Sequence, residues 1–260
     1  YNAGDRPAAE SLFHQALAAL PTAENLPPIE RVNVLYWCGR VAMERGQFAE
    51  AERHFRDLRE AAKKVGKYSA ADREEDALYL ARALAAQGRY KEAVPLFEEA
   101  LAQAPKLNKT EQAVALAEMY VAEAQLGAGE VDAYLATLGR MFEKYGKSAS
   151  VDILTRLAWA GGLSPEPRGW EPAAFAKAYR AAFKPTTTYP WGYRGLALVC
   201  LRAGDREGAE AALQKVGKTA HPVDHLIRGL AALARKDPAA ARGHLAKAEA
   251  MIEEAKPTTP

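Results

Sequence analysis

Residues that build strands, membrane spans or disulfide frameworks are scarce in this chain of 260 residues. Val, Ile and Thr are thin on the ground, and apolar and polar residues nowhere alternate as on a half-buried strand. No run of about eighteen apolar residues occurs, so no stretch reads as a membrane-spanning helix. Cysteine is confined to Cys38 and Cys200. Two distant cysteines make no disulfide framework. Both fall in apolar helical patterns and read as buried free thiols in a reducing compartment, with the cytoplasm as the expected location. Charge of one sign is lacking too: 35 basic residues face 33 acidic ones, a net of +2. The most basic run, "RHFRDLREAAKKVGK" from Arg53, is interrupted by Asp57 and Glu60. It reads as a solvated helix face and not as a nucleic-acid stripe, which needs unopposed cations. No signal peptide is visible, and the chain opens at Tyr1 inside a repeat, so it reads as a piece of something longer.

Catalytic and ligand motifs are missing as well. No Gly-x-Ser-x-Gly elbow occurs. The Gly-Lys pairs at Gly66, Gly146 and Gly217 have neither the upstream Gly nor the following Ser or Thr of a phosphate loop, and read as helix stops. His221 and His225 in "HPVDH" are spaced for one helix face, yet no third metal ligand has a suitable spacing. His14, His54 and His244 read as half-exposed residues beside repeat cores. The triplet Glu74, Glu75, Asp76 reads as a solvated helix start, where acids favour the helix dipole. Gly161–Gly162 closes the apolar helix holding Trp159 and reads as core packing and a flexible turn, and Thr186–Thr188 reads as plain linker. No enzyme activity, cofactor or metal is expected.

What is abundant is alanine, followed by Leu, Glu, Arg and Lys, all good helix formers. The fold class is therefore all-α. Punctuation agrees. "SAAD" at Ser69–Asp72 reads as a capping box with Asp in place of Glu. "HP" at His221 and "DP" at Asp237 put Pro in a first helical turn.

A phrase recurs. "GDRPAAESLFHQALAALP" starts at Gly4, "GQFAEAERHFRDL" at Gly46 and "GRYKEAVPLFEEALAQAP" at Gly88. These glycines are 42 residues apart, and Gly129 follows 41 after the last. Five residues after each opening glycine come Ala9, Ala51 and Ala93, nine after come Phe13, Phe55 and Phe97, and twelve after come Ala16, Leu58 and Ala100. Such positions share one helix face. Pro21 and Pro105 follow as helix stops, and Pro95 sits early in its helix. The preceding helix is patterned too: Leu35, Cys38, Gly39 and Ala42 before Gly46 match Ala77, Leu80, Ala81 and Leu84 before Gly88. In the second half Gly204, Ala209, Leu213 and Val216 keep the offsets, as do Ala241, Leu245 and Ala248, with Lys236 in place of the turn glycine. The register near Gly127–Val131 stays open by one or two residues.

"YLARALAAQGRYKEAVPLFEEALAQAP" resembles the tetratricopeptide repeat, which carries a large residue, Leu-Gly, an aromatic, then Gly, Ala, Phe and Pro. The spacing of 41–42 residues resembles a long variant of it. From Leu135 onward the chain is similar to the repeat arrays attached to bacterial Ser/Thr protein kinases. The resemblance implies a right-handed α-solenoid of about seven antiparallel helix pairs, each burying the apolar face of its neighbour. Residues 1–147 read as an N-terminal sub-array with a truncated first repeat. Residues 148–188 read as a degenerate repeat with the insertion "SPEPRGW" and a linker, and residues 189–260 as a C-terminal sub-array. "KPTTTYPW" (Lys184–Trp191) is the expected joint.

In this family the first helices of successive repeats line the concave side, where partner peptides bind. Here that stripe is Asn33, Trp37, Arg40 and Glu44 in one repeat and Glu75, Tyr79, Arg82 and Ala86 in the next, with Tyr36 adjacent. Trp37 and Tyr79 share one offset, and Arg40 and Arg82 another. An aromatic plate beside an arginine fork suits a peptide carrying a carboxylate. The expected partner-binding residues are Asn33, Tyr36, Trp37, Arg40, Tyr79 and Arg82, and the expected function is a protein or peptide scaffold within a larger signalling protein. The rival reading has the aromatics packing between repeats and the arginines pairing with nearby acids. The family's clamp for C-terminal carboxylates combines Lys, Asn and Arg, and its lysines are absent here. Self-association through the truncated first repeat (Ala9, Phe13, Ala16), or packing against another domain of its own chain, is the alternative function, and a helical-scaffold enzyme the second. No nucleic acid and no membrane insertion are expected.

Overall fold

Local chemistry sets the helix starts. The Ser69 hydroxyl accepts the Asp72 amide and the Asp72 carboxylate accepts the Ser69 amide, the reciprocal bond of a capping box. Ser150 and Asp205 cap two further helices by a single bond each, accepting the amides of Ile153 and Gly208. Pro28, Pro172, Pro190, Pro222 and Pro238 each open a helix, where the missing N–H goes unneeded.

The structure is a computed structural model and describes residue 12 and residues 15–20, 26–164, 170–183, 189–216 and 221–254. Every regular element among them is helical. These are α1 (Pro28–Glu44), α2 (Phe48–Ala62), α3 (Ala70–Ala86), α4 (Tyr90–Gln103), a 3-10 turn (Ala104–Leu107), α5 (Glu111–Gly127) and α6 (Val131–Tyr145). There follow α7 (Val151–Gly162), α8 (Pro172–Ala182), α9 (Pro190–Arg202), α10 (Arg206–Gln214), α11 (Pro222–Ala234) and α12 (Pro238–Glu254). Gly4, Ala9, Phe13, His14, Pro21, Gly217, most of the "SPEPRGW" insertion and Lys184–Thr188 lie outside the described residues. The chain divides into two compact units. Unit one holds residues 1–109 and 127–129, and unit two residues 110–126 and 130–260.

One turn conformation recurs. Gly46, Gly88, Gly129 and Gly204 have φ of +72°, +75°, +81° and +76°. After each, the next amide reaches back to a carbonyl five residues earlier: Gln47 to Ala42, Arg89 to Leu84, Glu130 to Gln125, Asp205 to Cys200. This is the Schellman closure, which needs a left-handed residue. It places the fourth turn at Gly129. Lys236 adopts the same conformation at φ +60°, with Asp237 bonding back to Ala232. Gly146 differs: it caps α6 at φ −61°, right-handed, and is needed because a Cβ would meet the Phe142 carbonyl oxygen at 2.5 Å.

In unit one the pairs α1/α2 and α3/α4 pack through the repeated offsets. Ala51, Phe55, Leu58, Ala93, Phe97 and Ala100 are all buried. Phe55 is 0% exposed, and a Cβ on Gly39 would lie 2.7 Å from its ring. The small residue on the first helix and the ring on the second are therefore one packing unit. Removing such a buried ring costs roughly 3–5 kcal/mol. Phe55 also stacks on Tyr79 of α3 at 5.4 Å, tying the next pair to the first. His54, expected half-exposed, is buried beside it, with Glu50 3.5 Å away and its charged form disfavoured by burial. Pro95 is the sixth residue of α4, beyond the first turn, so it removes one internal helix bond on the exposed side. The basic run is paired: Arg56 meets Glu52 at 2.9 Å, Arg59 meets Glu99 at 3.0 Å and Lys63 meets Glu60 at 2.7 Å.

Unit two stacks α5/α6, α7/α8, α9/α10 and α11 on one continuous core, and α12 packs on α11. On α6 the equivalent offsets are filled by Tyr134, Leu138 and Met141, all buried, and the Tyr134 hydroxyl donates to the Ala160 carbonyl at 2.6 Å. Gly161 and Gly162 are the buried end of α7, so core packing accounts for them and the turn begins after them. A Cβ on Gly161 would crowd Phe142 and Trp170, and one on Gly162 would collide with Leu198 of α9. Cys38 and Cys200 are buried and form no disulfide, and burial raises both thiol pKa values, Cys38 to about 11. Leu245 takes the offset of Phe55 but is 48% exposed, because no helix follows α12 among the described residues. No helix among the described residues is long and apolar enough to cross a membrane.

The turn geometry predicts opposite signs for two substitutions. Lys236→Gly relieves a left-handed L-residue and stabilises unit two by about 1 kcal/mol, while Gly88→Ala destabilises unit one by a similar amount. Urea unfolding of the two variants measures both.

Candidate partner-binding site

The helices α1 and α3 are the first members of consecutive pairs in unit one, and five of the six expected residues meet between them. The Arg40 guanidinium carbon lies 5.2 Å from the Trp37 ring centre, 5.4 Å from Tyr79 and 5.7 Å from Tyr36. Three aromatic faces therefore surround one cation, each contact being worth about 0.5–2 kcal/mol. Arg82 shares the Tyr79 ring, also at 5.4 Å. Tyr36 meets Trp37 and Tyr79 edge-on at 5.3 and 5.8 Å. Its hydroxyl donates to Glu75 at 2.6 Å and accepts from Arg40 at 3.3 Å. Asn33 is exposed and takes no part in this cluster.

Electrostatics keep these groups in fixed states. Burial, then the Glu75 carboxylate, pushes the Tyr36 hydroxyl far above its ordinary pKa, so it remains a donor. Burial alone would lower the Arg40 pKa, but its bond to Tyr36 and the nearby Tyr79 and Glu75 raise it on balance. The rings and arginines are half-buried. The aromatics pack between repeats, as the rival reading had it, and still present a surface. Arg40 rests on rings.

Unit two has a related cluster that the sequence reading missed. Trp191, 43% exposed, meets Trp159 at 5.6 Å and His221 at 5.0 Å, with the Arg194 guanidinium 5.0 Å from its ring. Arg194 is only 5% exposed and grips Asp224 through two bonds of 2.6 and 3.1 Å. Trp191 stands thirteen residues before Gly204, the offset of Asn33 before Gly46 and of Glu75 before Gly88. Carrying the offsets to the second half would have found it. With the fourth turn at Gly129, Tyr120 and Glu123 take the offsets of Trp37 and Arg40 in their own repeat. Burial pushes the Glu123 carboxyl up to about 7.

The acidic triplet is not a solvated helix start. Glu74 is buried and paired with Lys109 at 2.8 Å, Glu75 holds Tyr36, and buried Asp76 accepts from the Tyr68 hydroxyl. Three carboxylates thus serve three separate contacts. The histidines also have structural partners. His221 caps α11 by accepting the Val223 amide at 3.2 Å, and His225 bonds His244. Among the described residues no group of three or more His, Cys, Asp or Glu could hold a metal ion.

Comparison with known proteins follows the same lines. Residues 30–106 and residues 190–215 each match a tetratricopeptide repeat family model. No curated protein matches the sequence. Among solved structures, the apo form of RapI aligns at a TM-score of 0.70 and 15% identity, over 95% of this chain and 71% of that one. The likeness is one of fold. The TPR2AB-domain:pHSP90 complex of yeast Sti1 aligns at a TM-score of 0.36 and 18% identity, over 86% of this chain and 92% of that one.

Burial pushes the Asp76 carboxyl up to about 6, with Asp72 and Glu75 adding to the effect against Tyr68 and Arg59. An unfolded Asp loses its proton near pH 3.9, so between about pH 4 and 6 the folded chain holds more protons than the unfolded one. Stability from this group therefore falls as pH rises through that window. Asp76→Asn flattens that fall, measured as the wild-type minus variant difference in urea unfolding free energy across the window.

Proposed function

We propose that unit one is a docking module for a peptide segment carrying an acidic residue next to an apolar one. The observation that carries this reading is the Arg40 guanidinium lodged among Tyr36, Trp37 and Tyr79, with Arg82 against the same Tyr79 ring. Rings fix the two arginines before a partner arrives, so little side-chain entropy is lost on binding. Planar guanidiniums take a carboxylate through paired N–H bonds, worth about 1.5–3 kcal/mol each when charged. Trp37 and Tyr36 offer the adjoining apolar plate. Asn33, exposed one turn earlier, would meet the peptide backbone. The tetratricopeptide repeats of residues 30–106 support the reading, since first helices of such repeats are peptide-facing surfaces. We place the module in a larger signalling protein on the sequence resemblance alone, that of the chain from Leu135 onward to arrays attached to bacterial Ser/Thr kinases. The function is one of binding, with no catalytic step assigned.

Labelled peptides with and without Asp or Glu beside a Leu or Phe, titrated by fluorescence anisotropy, test the reading. Arg40→Met keeps the packed stem over the rings and removes the charge, and Arg82→Glu reverses the second charge. The double variant is expected to lose about 10–100-fold in affinity for acidic peptides with an unchanged circular dichroism spectrum. Equal binding of acidic peptides by wild type and variant would overturn it.

A further inference from the structure

The last described helix pair is joined by two histidines. His225, the fourth residue of α11, and His244, the seventh of α12, face each other through their Nδ1 atoms at 3.2 Å. The ring centres are 5.5 Å apart, as far as two imidazoles meeting through nitrogens at that distance can be. The two nitrogens therefore point straight at one another. A metal bound by both rings would need their lone pairs bent toward a common point off that line. The geometry is that of a proton shared between two nitrogens.

Around this bridge the seam is thin. Only Ala241 and Ala248 of α12 are buried, and Gly229 of α11 lets the Ala241 carbonyl and the His244 Cβ come within 3.6 Å of where its own Cβ would be. Small side chains bury little apolar area, so a polar bridge weighs more here than in the aromatic core. The charges acting on His244 are positive. Arg228 and Arg235 come from α11 and Lys247 from α12, and all three disfavour a charge on His244. Arg206 of α10 donates to the Ala234 carbonyl at 2.7 Å. The acids nearby are engaged: Glu210 of α10 with Arg228 at 3.9 Å, and Asp224 with Arg194 of α9 at 2.6 Å. His225 also lies in the N-terminal turn of α11, where the helix dipole opposes a cation.

Proton accounting follows from the ring chemistry. With both rings neutral, one Nδ1–H donates to the other Nδ1. A first added proton goes to an outward Nε2 and leaves the bridge intact. A second must enter the inward lone pair, and two N–H groups then confront each other. We propose that the His225–His244 bridge is an acid-sensitive latch, which holds α12 on α11 while the pair carries at most one added proton and frees α12 when both rings are charged. His244 titrates below the ordinary histidine value, first through burial and then through His225 and the three cations. The freed state thus binds more protons than the latched one. Latching is complete above about pH 6.5 and fades as pH falls below it.

Hydrogen exchange on the whole chain tests the latch. Between about pH 7.5 and pH 5, α12 amide protection, corrected for intrinsic exchange, is expected to fall about tenfold or more relative to α9. His225→Phe with His244→Phe replaces the bridge by an apolar pair and is expected to make α12 protection independent of pH over that range. In the 15N-labelled wild type, scalar coupling between the two Nδ1 atoms is expected at the higher pH and lost at the lower. The latch is overturned if the two rings titrate independently, if no coupling is seen at either pH, or if α12 and α9 lose protection in parallel.

Discussion

Phe55 pressed against Gly39 is the contact on which the rest of unit one depends. A single added carbon on Gly39 would stand 2.7 Å from that ring. The first helix must be bare at this point for the second to lie close, and the ring must be large to fill what lies beyond. The same ring stacks on Tyr79 of the following pair. One side chain thus closes its own hairpin and orients its neighbour, which is how a repeat too small to fold alone gains a core. The left-handed turn at Gly46 and its counterparts serves this contact by reversing the chain within few residues.

From that constraint the aromatic surface follows. Tyr79 is stacked from beneath by Phe55, so its other face and edge are offered to Tyr36, Arg40 and Arg82. Packing and recognition are therefore continuous: the ring that joins two pairs is also the floor on which two arginines rest. Unit two repeats the idea with other residues. There Arg194 is sunk and neutralised by Asp224, and Trp191 is what reaches the surface. The two units present different chemistry, one cationic and one apolar, from related positions.

Much of this was legible in one dimension. Helix formers, caps and a recurring glycine gave the class, the hairpin turns and the buried Ala, Phe and Leu positions, because these are short-range or strictly periodic demands. Lys236 was recognised as the stand-in for a turn glycine on spacing alone. The errors have a common cause. Glu74, Glu75 and Asp76 look like a solvated acidic helix start, because polarity is a good guide to exposure only until a partner from outside the helix arrives. Lys109, Tyr36 and Tyr68 supply those partners. Gly161–Gly162 closes its helix as its apolar surroundings suggest, and only the structure shows that Leu198 and Phe142 press on it.

By itself the sequence determined the all-helical class, the period and the residues that occupy each repeat's packing offsets. These depend on backbone propensity and on periods of three and four residues, which are properties of the chain in one dimension. Only the tertiary structure decided that Arg40 would be enclosed by three rings, that Gly129 would carry the fourth turn, and that His225 would meet His244 rather than act with His221. Spacing along α1 already sets Tyr36 and Trp37 beside Arg40, but the third ring, the left-handed turn and the histidine pair are settled by the crossing of two helices or by a backbone angle, which spacing along one helix does not contain.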